Sequence, residues 1–160
     1  MLVRGDDSLE KVLVDGRQSD TALMIQRGVG RMLHNRKFAV LPELTLASGR
    51  RADLMALSSK GELWIIEIKS SVADFKADHK WPDYRDYCDR LFFASHAEVP
   101  EDLFPQEQGL MMADPYGAEI LRDAPEHKLS AARRKAVTLR FAAAGATRLL
   151  KLSDPGLRGL

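Results

Sequence analysis

The chain of 160 residues carries 24 basic and 23 acidic residues, and 45% of its residues are hydrophobic, which is typical of one globular domain with an ordinary core. The nearly balanced charge excludes a global positive field for nucleic acid, and the lone Cys88 excludes an internal disulfide and a four-cysteine zinc site. No apolar run approaches the roughly 20 residues of a membrane span and the charged N-terminus does not resemble a signal peptide, so we expect a cytoplasmic protein.

The first half of the chain predicts an arm, a helix and three strands. Residues 1–18 have weak periodicity and several turn formers, so we expect a loosely ordered arm. Helical spacing of apolar residues then predicts a first helix capped by Ser19 or Asp20. Strands follow as a meander at residues 38–46, 51–57 and 62–70.

The second half predicts a helix, three strands and a long final helix. Pro82 suits the first turn of a helix that starts near it. The strands are expected at residues 90–95, 109–114 and 118–123, and the last helix begins after Ser130. This order indicates one mixed α/β domain over residues 19–152, followed by a tail at 153–160.

Three charged residues stand inside otherwise apolar strands in "GRRADLMALSSKGELWIIEIKSS". Burying an unpaired carboxylate is costly, so Asp53, Glu67 and Lys69 indicate either a functional site or an ion pair. If "SKG" is a three-residue hairpin loop with Gly61 in the left-handed conformation, Asp53 lies directly across from Glu67. Lys69 then lies two residues further along the same face.

Adjacent carboxylates on paired strands suit a divalent cation. Mg²⁺ takes one or two carboxylates, keeps several waters and accepts phosphate oxygens, which fits phosphodiester chemistry, and Mn²⁺ is the alternative ion. In this interpretation Asp53 and Glu67 bind the ion with the Ile68 carbonyl as a third ligand, and Lys69 orients water or stabilises developing charge. The structural alternative is that Lys69 simply pairs with Glu67 or Asp53 at the rim of the sheet.

The order helix, "RAD", "EIK", helix resembles the core of the PD-(D/E)xK nuclease superfamily. The longer run "EIKSSVADFKADHKWPDYRDYCDRLFFA" resembles the MmcB-like family of bacterial DNA repair proteins, and this likeness extends from about residue 15 to about residue 145. It implies a restriction-endonuclease-like α/β core, in which a central mixed sheet with an antiparallel meander is flanked by helices. It also implies metal binding at Asp53 and Glu67, and catalytic assistance by Lys69.

Three further residues are candidates for supporting this site. Many superfamily members carry a glutamate on the first helix, and Gln26 stands at that place with a neutral oxygen. Glu43 on the first strand could add an acid, although strand alternation does not tell whether it faces the cleft. Ser70 could donate a hydrogen bond to phosphate, or simply end its strand.

Two segments supply candidate DNA contacts. In "KWPDYRDYCDR", Trp81, Tyr84 and Arg85 suit base stacking and phosphate contact, and the alternative is that the aromatic residues pack against the sheet. On the final helix, Arg133 and Arg134 lead a basic face that could follow a DNA backbone, with a solvated face as the alternative.

The leading hypothesis is a Mg²⁺-dependent deoxyribonuclease that acts in DNA repair. The second is a DNA-structure-binding module of the same fold that cleaves poorly or only inside a complex, which Gln26 favours. The third is a structural protein whose acids are merely paired. The expected partners are DNA and other repair proteins, without a membrane, and the oligomeric state stays open, with a homodimer as one alternative.

Overall fold

Six strands form one mixed sheet whose spatial order follows the chain. The structure, a computed structural model, describes the backbone of residues 7–159 and the side chains of residues 20–157. The strands are β1 Ala39–Thr45, β2 Arg51–Leu57, β3 Leu63–Ile68, β4 Arg90–Ser95, β5 Gly109–Ala113 and β6 Ala118–Arg122. β1, β2 and β3 form an antiparallel meander, β3, β4 and β5 run parallel, and β6 is antiparallel to β5. The predicted α/β fold with a mixed sheet flanked by helices is confirmed.

The α-helices of the described residues are α1 Asp7–Asn35, α2 Val72–Ala77 and α3 Ala131–Ser153. The predicted start of the first helix at Ser19 or Asp20 was too late, because α1 begins at Asp7 and includes residues 7–18 of the predicted arm. Once the packed part of a helix has formed, each added residue costs little, so weak periodicity does not end it. Residues 1–6 lie outside the described residues. None of the described helices is long and apolar enough to cross a membrane.

The prediction of one helix that starts near Pro82 is wrong. The chain forms two shorter pieces instead, α2 and a 3₁₀ helix at Trp81–Tyr87 with Pro82 in its first turn. Asp78 ends α2 in an extended conformation, with φ of −87° and ψ of 113°, and so breaks the helical path between them. The final helix begins as predicted, since the Ser130 side chain accepts from the Arg133 backbone N–H.

The β2–β3 hairpin has the predicted three-residue loop. Gly61 has a φ of +85°, a left-handed value that favours glycine. Backbone pairing of the two strands ends with Leu54 opposite Ile66. One further step in the same register places Asp53 opposite Glu67, so the predicted register is confirmed.

Hydrophobic layers cover both faces of the sheet. On one face α1 buries Ile25 and Leu33 completely. On the other, α3 contributes Val137 and the 3₁₀ helix contributes Tyr84. Every residue of β3 is therefore buried, and Glu67 is carried into the interior with its apolar neighbours.

A close approach fixes α1 over the sheet. A Cβ atom at Gly28 would lie 2.0 Å from the Asp114 carbonyl oxygen and 2.5 Å from that of Gly117, so any larger residue would push the helix away from the β5–β6 turn. Gly28 is therefore a packing requirement, and it sets the position of the helix residues that face the site.

Candidate active site

An open cavity of about 560 Å³ lies where β2 and β3 stop pairing. α1 lines one side, and the segment from the end of β3 through the 3₁₀ helix lines another. Its polar and charged lining residues are Gln26, Glu43, Asp53, Glu67, Lys69, Ser70, Asp74, Asp78, Lys80 and Tyr84. The structure thus brings together the predicted triad and its three predicted supporting residues.

Reciprocal hydrogen bonds hold Asp53 and Glu67 side by side. Glu67 Oε1 accepts from the Asp53 backbone N–H at 3.1 Å, and Asp53 Oδ2 accepts from the Ile68 backbone N–H at 2.8 Å. Glu67 is only 3% exposed. Each carboxylate is therefore oriented by the opposite strand, at the step where strand-to-strand pairing ends.

The environment of the two acids disfavours their ionised forms. Burial raises the pKa of Asp53, although the hydrogen bond from the Ile68 backbone N–H acts to lower it. Burial and the adjacent charge of Asp53 together raise the pKa of Glu67 well above its usual range. The ionised forms of the two carboxylates are destabilised by loss of solvent and by their mutual repulsion. A bound cation would offset both effects.

Lys69 has its partner outside this acid pair. Its side chain is 6% exposed, and Nζ donates to Asp78 Oδ2 at 2.5 Å. Although burial acts in the opposite direction, the hydrogen bonds from Lys69 and from the Lys80 backbone N–H hold the pKa of Asp78 below its usual value. Among the described residues, no ion pair within 4.0 Å joins Lys69 to Asp53 or Glu67, so the simple pairing alternative does not describe this lysine.

The turn after β3 is built from capping hydrogen bonds. Ser71 Oγ accepts from the Asp74 backbone N–H at 3.0 Å and caps α2, while Asp74 Oδ2 accepts from the Ser70 backbone N–H at 3.0 Å. The Ser95 hydroxyl at the end of β4 donates to the Lys69 carbonyl at 2.7 Å. Ser70 therefore lies in the cavity wall and also anchors the start of α2.

Gln26 and Glu43 reach the cavity from opposite elements. Gln26 lines it from α1, half-buried, and Glu43 lines it from β1. The β1–β2 register on either side of Glu43 places this residue across from Asp53. Glu43 has a φ of +53°, which is uncommon outside glycine, and its carbonyl accepts from Arg148 Nη2 at 2.7 Å. This departure from strand geometry explains why alternation could not predict its direction.

The aromatic residues that were predicted to contact DNA mostly pack into the fold. Trp81 makes an edge-to-face contact with Phe93, with ring centroids 5.3 Å apart, in agreement with the packing alternative. Tyr84 is buried, and its hydroxyl donates to the Arg51 carbonyl at 3.0 Å. Burial and the neighbouring acids, Glu67 first, raise the pKa of Tyr84, so the phenol stays protonated beside the cavity.

The predicted basic contacts lie away from this cavity. Arg134 binds both carboxylate oxygens of the buried Asp89, at 2.6 and 2.7 Å, and so anchors α3 to the domain. The Arg85 Nη2 atom lies 2.8 Å from His127 Nε2. Arg133 is exposed. None of the three arginines lines the cavity that holds Asp53.

Sequence reasoning missed Asp78 and Asp74. The available signal was Lys69 itself, because a buried ammonium group requires a nearby acid. The segment "SSVADFKAD" supplies two acids, the second of them nine residues after Lys69. Asp53 and Glu67 were closer along the strands, and they concealed this requirement.

Comparison with known proteins assigns the chain to a family. The family profile described as DNA repair protein MmcB-like matches residues 9–156. The chain belongs to the MmcB-like family of DNA repair proteins. It is also similar to a solved structure of a protein of unknown function from Silicibacter pomeroyi, with 48% sequence identity and a TM-score of 0.82 over 85% of this chain and 93% of that one. No curated protein matches.

The MmcB-like fold and acid placement are compatible with a PD-(D/E)xK core, because the two acids lie on adjacent antiparallel strands after a helix. In the part of the chain that the structure describes, no group of three or more His, Cys, Asp or Glu side chains is arranged to hold a metal ion. Mg²⁺ requires fewer protein ligands, since waters and substrate phosphates complete its shell. Asp53 and Glu67 are two oxygen donors without a directly paired cation, so these residues fit such an ion.

Proposed function

We propose that this chain is a Mg²⁺-dependent deoxyribonuclease that hydrolyses phosphodiester bonds in DNA repair, with Mn²⁺ able to replace Mg²⁺. The observation that carries the proposal is the acid pair of the half-buried Asp53 and the buried Glu67, which is oriented by reciprocal hydrogen bonds and open to a cavity. Apolar residues at these positions would stabilise the fold without the desolvation cost of two carboxylates. Such a pair is therefore better explained by function than by stability.

Asp53 and Glu67 would hold the ion, with the Ile68 carbonyl as a third protein ligand. When bound, the ion supplies positive charge to the scissile phosphate and activates a water. The backbone N–H groups of Ile68 and Asp53 already fix one oxygen of each carboxylate. This orientation reduces the reorganisation required when substrate arrives.

Lys69 supplies hydrogen-bond donors at the wall of the same cavity. An ammonium group carries three donors, and one of them is directed to Asp78. The other two are available to orient the attacking water or to stabilise negative charge on the phosphate oxygens. The contact with Asp78 restricts where this lysine can reach.

A DNA-structure-binding module with little or no cleavage of its own is the second candidate. The observation that favours it is Gln26, a neutral amide that lines the cavity where related nucleases often carry an acid. A neutral oxygen attracts a divalent cation less than a carboxylate does. The same fold could then bind DNA without holding the ion tightly enough for turnover.

Cleavage and binding assays separate the two candidates. Purified protein is incubated with single-stranded, duplex, flapped and branched DNA in Mg²⁺, Mn²⁺ or EDTA. A nuclease cuts at least one substrate only with metal, and the Asp53→Asn, Glu67→Gln double variant loses that activity while Asp86→Asn, an exposed acid outside the cavity, retains it. Binding without cleavage under every condition supports the second candidate. If the protein neither binds nor cleaves any of the substrates, both candidates are contradicted.

A further inference from the structure

The solvent side of α3 carries several exposed apolar residues. Its largest exposed hydrophobic residues are Leu139 at 60%, Leu149 at 64%, Leu150 at 55% and Leu152 at 69% exposure. Leu139, Ala143, Ala146 and Leu150 recur at alternating spacings of four and three residues, so they lie along one side of the helix. This leucine face covers roughly 17 Å of helix, about three turns.

The fold does not use this leucine face. α3 packs on the sheet through another side, formed by the buried Val137 and the half-buried Phe141 and Ala144. A surface helix normally carries one apolar stripe toward the core and polar residues elsewhere. A second stripe directed to solvent is the pattern of a docking surface.

The charge of α3 indicates what would cover it. The helix contains six basic residues and no acid. Arg134 and Arg148 turn inward, to Asp89 and to the carbonyls of β1. Lys135 and Arg140 are exposed beside the leucine face, whereas the Arg133 guanidinium lies over the Tyr87 ring, 4.8 Å from its centroid. A surface with an apolar centre and a basic border is complementary to an amphipathic helix with an acidic border.

We propose that the leucine face of α3 binds an amphipathic helix of a partner protein, with aliphatic residues over Leu139 and Leu150 and Asp or Glu residues against Lys135 and Arg140. A second copy of α3 fits poorly, because antiparallel pairing would bring each basic border against itself. DNA fits poorly as well, because leucine and alanine side chains offer no donor to phosphate. None of these residues lines the cavity of Asp53, so the surface is independent of the proposed nuclease activity.

Two synthetic helical peptides of about 18 residues test this docking against the full chain. Both carry the same leucines on one side, flanked in one peptide by Glu and in the other by Lys, and fluorescence anisotropy measures their binding. The Glu peptide should bind saturably and at least tenfold more tightly than the Lys peptide. Leu139→Gln and Leu150→Gln should each weaken it about tenfold, since each removes a buried leucine from the complex. Arg140→Glu should shift preference toward the Lys peptide.

Leu121→Gln is the matched control, because Leu121 is an exposed leucine on β6. It should leave binding of the Glu peptide unchanged, and melting curves should show every variant folded, since only exposed side chains are replaced. Equal binding of the two peptides, binding of neither, or equal loss in the control would overturn the proposal. Sedimentation of the chain alone tests the second copy: self-association that Leu150→Gln abolishes would assign the leucine face to a homodimer and overturn it too.

Discussion

Lys69 Nζ is paired with Asp78 Oδ2 across 2.5 Å, although Asp53 and Glu67 line the same cavity. The site therefore consists of two electrostatic units, an ion pair and an acid pair. Among the described residues, no lysine forms an ion pair with the two acids, and Lys69 is paired with a separate acid. In the proposed mechanism, the two carboxylates would hold the cation and the lysine would contact the substrate.

The role of Lys69 can be measured by its removal. Lys69→Ala should lower the rate of cleavage by about 10²-fold or more while DNA affinity changes little, because the group acts on charge that develops during reaction. Single-turnover rates and binding curves give the two quantities, and Lys76→Ala on the exposed side of α2 is the control. An unchanged rate would remove Lys69 from the mechanism.

Asp53→Asn tests whether the acid pair is a site or a scaffold. The pKa of both acids is raised in the folded state, so their contribution to stability is present below the usual carboxylate pKa of about 4 and is lost as pH rises through the folded values. In EDTA at neutral pH the variant should be at least as stable as wild type. Millimolar Mn²⁺ should raise the wild-type melting temperature and scarcely affect the variant.

Melting curves in EDTA and in Mn²⁺, at pH 5 and pH 8, give the answer. Between pH 5 and pH 8, the melting temperature of the metal-free wild type should fall by more than that of the variant. A destabilised variant beside a wild type that is indifferent to metal would end the nuclease hypothesis.

Asp89 predicts an opposite pH dependence. It is 1% exposed and accepts from Arg134 and from the Leu63 and Leu129 backbone N–H groups. Burial acts against them, but these hydrogen bonds hold the pKa of Asp89 below its usual value. Its stabilising effect is therefore present above the unfolded pKa of about 4 and is lost as pH falls through the folded pKa.

Asp89→Ala should lower the free energy of unfolding by about 3 kcal/mol at pH 7, because a buried partner of Arg134 is removed. Urea unfolding at pH 7 and pH 3.5 measures the difference between variant and wild type, which should shrink at the lower pH. The same difference at both pH values would show that Asp89 stabilises the domain by packing rather than by charge.

The DNA path is tested by comparing two basic surfaces. Lys80 is exposed and lines the cavity, so Lys80→Ala should weaken binding to all sequences alike and reduce the slope of affinity against salt by about one unit. Arg133→Ala combined with Arg140→Ala should leave that slope unchanged, because both residues lie on α3 and neither lines the cavity of Asp53. A flatter slope in the double variant would instead support the DNA contact predicted from the sequence.

The sequence alone was sufficient wherever short-range rules decide the structure. Turn chemistry at Gly61 set the hairpin register, and the register placed Asp53 across from Glu67. The period of apolar residues gave β2 and β4 with their observed bounds. Such features depend on residues that are neighbours in the chain, so local propensity is enough to choose among the alternatives.

Only the tertiary structure decided which charged groups meet. Lys69 has five acids in the same cavity, and the turn through α2 brings Asp78 to it. Glu43 faces the cavity because its backbone leaves strand geometry, supported by Arg148, which is 105 residues away in the chain. The sequence places Arg134 on a basic helix face, and the fold brings Asp89 to it. In each case several partners were locally equivalent, and the choice came from which elements the close-packed core brings into contact.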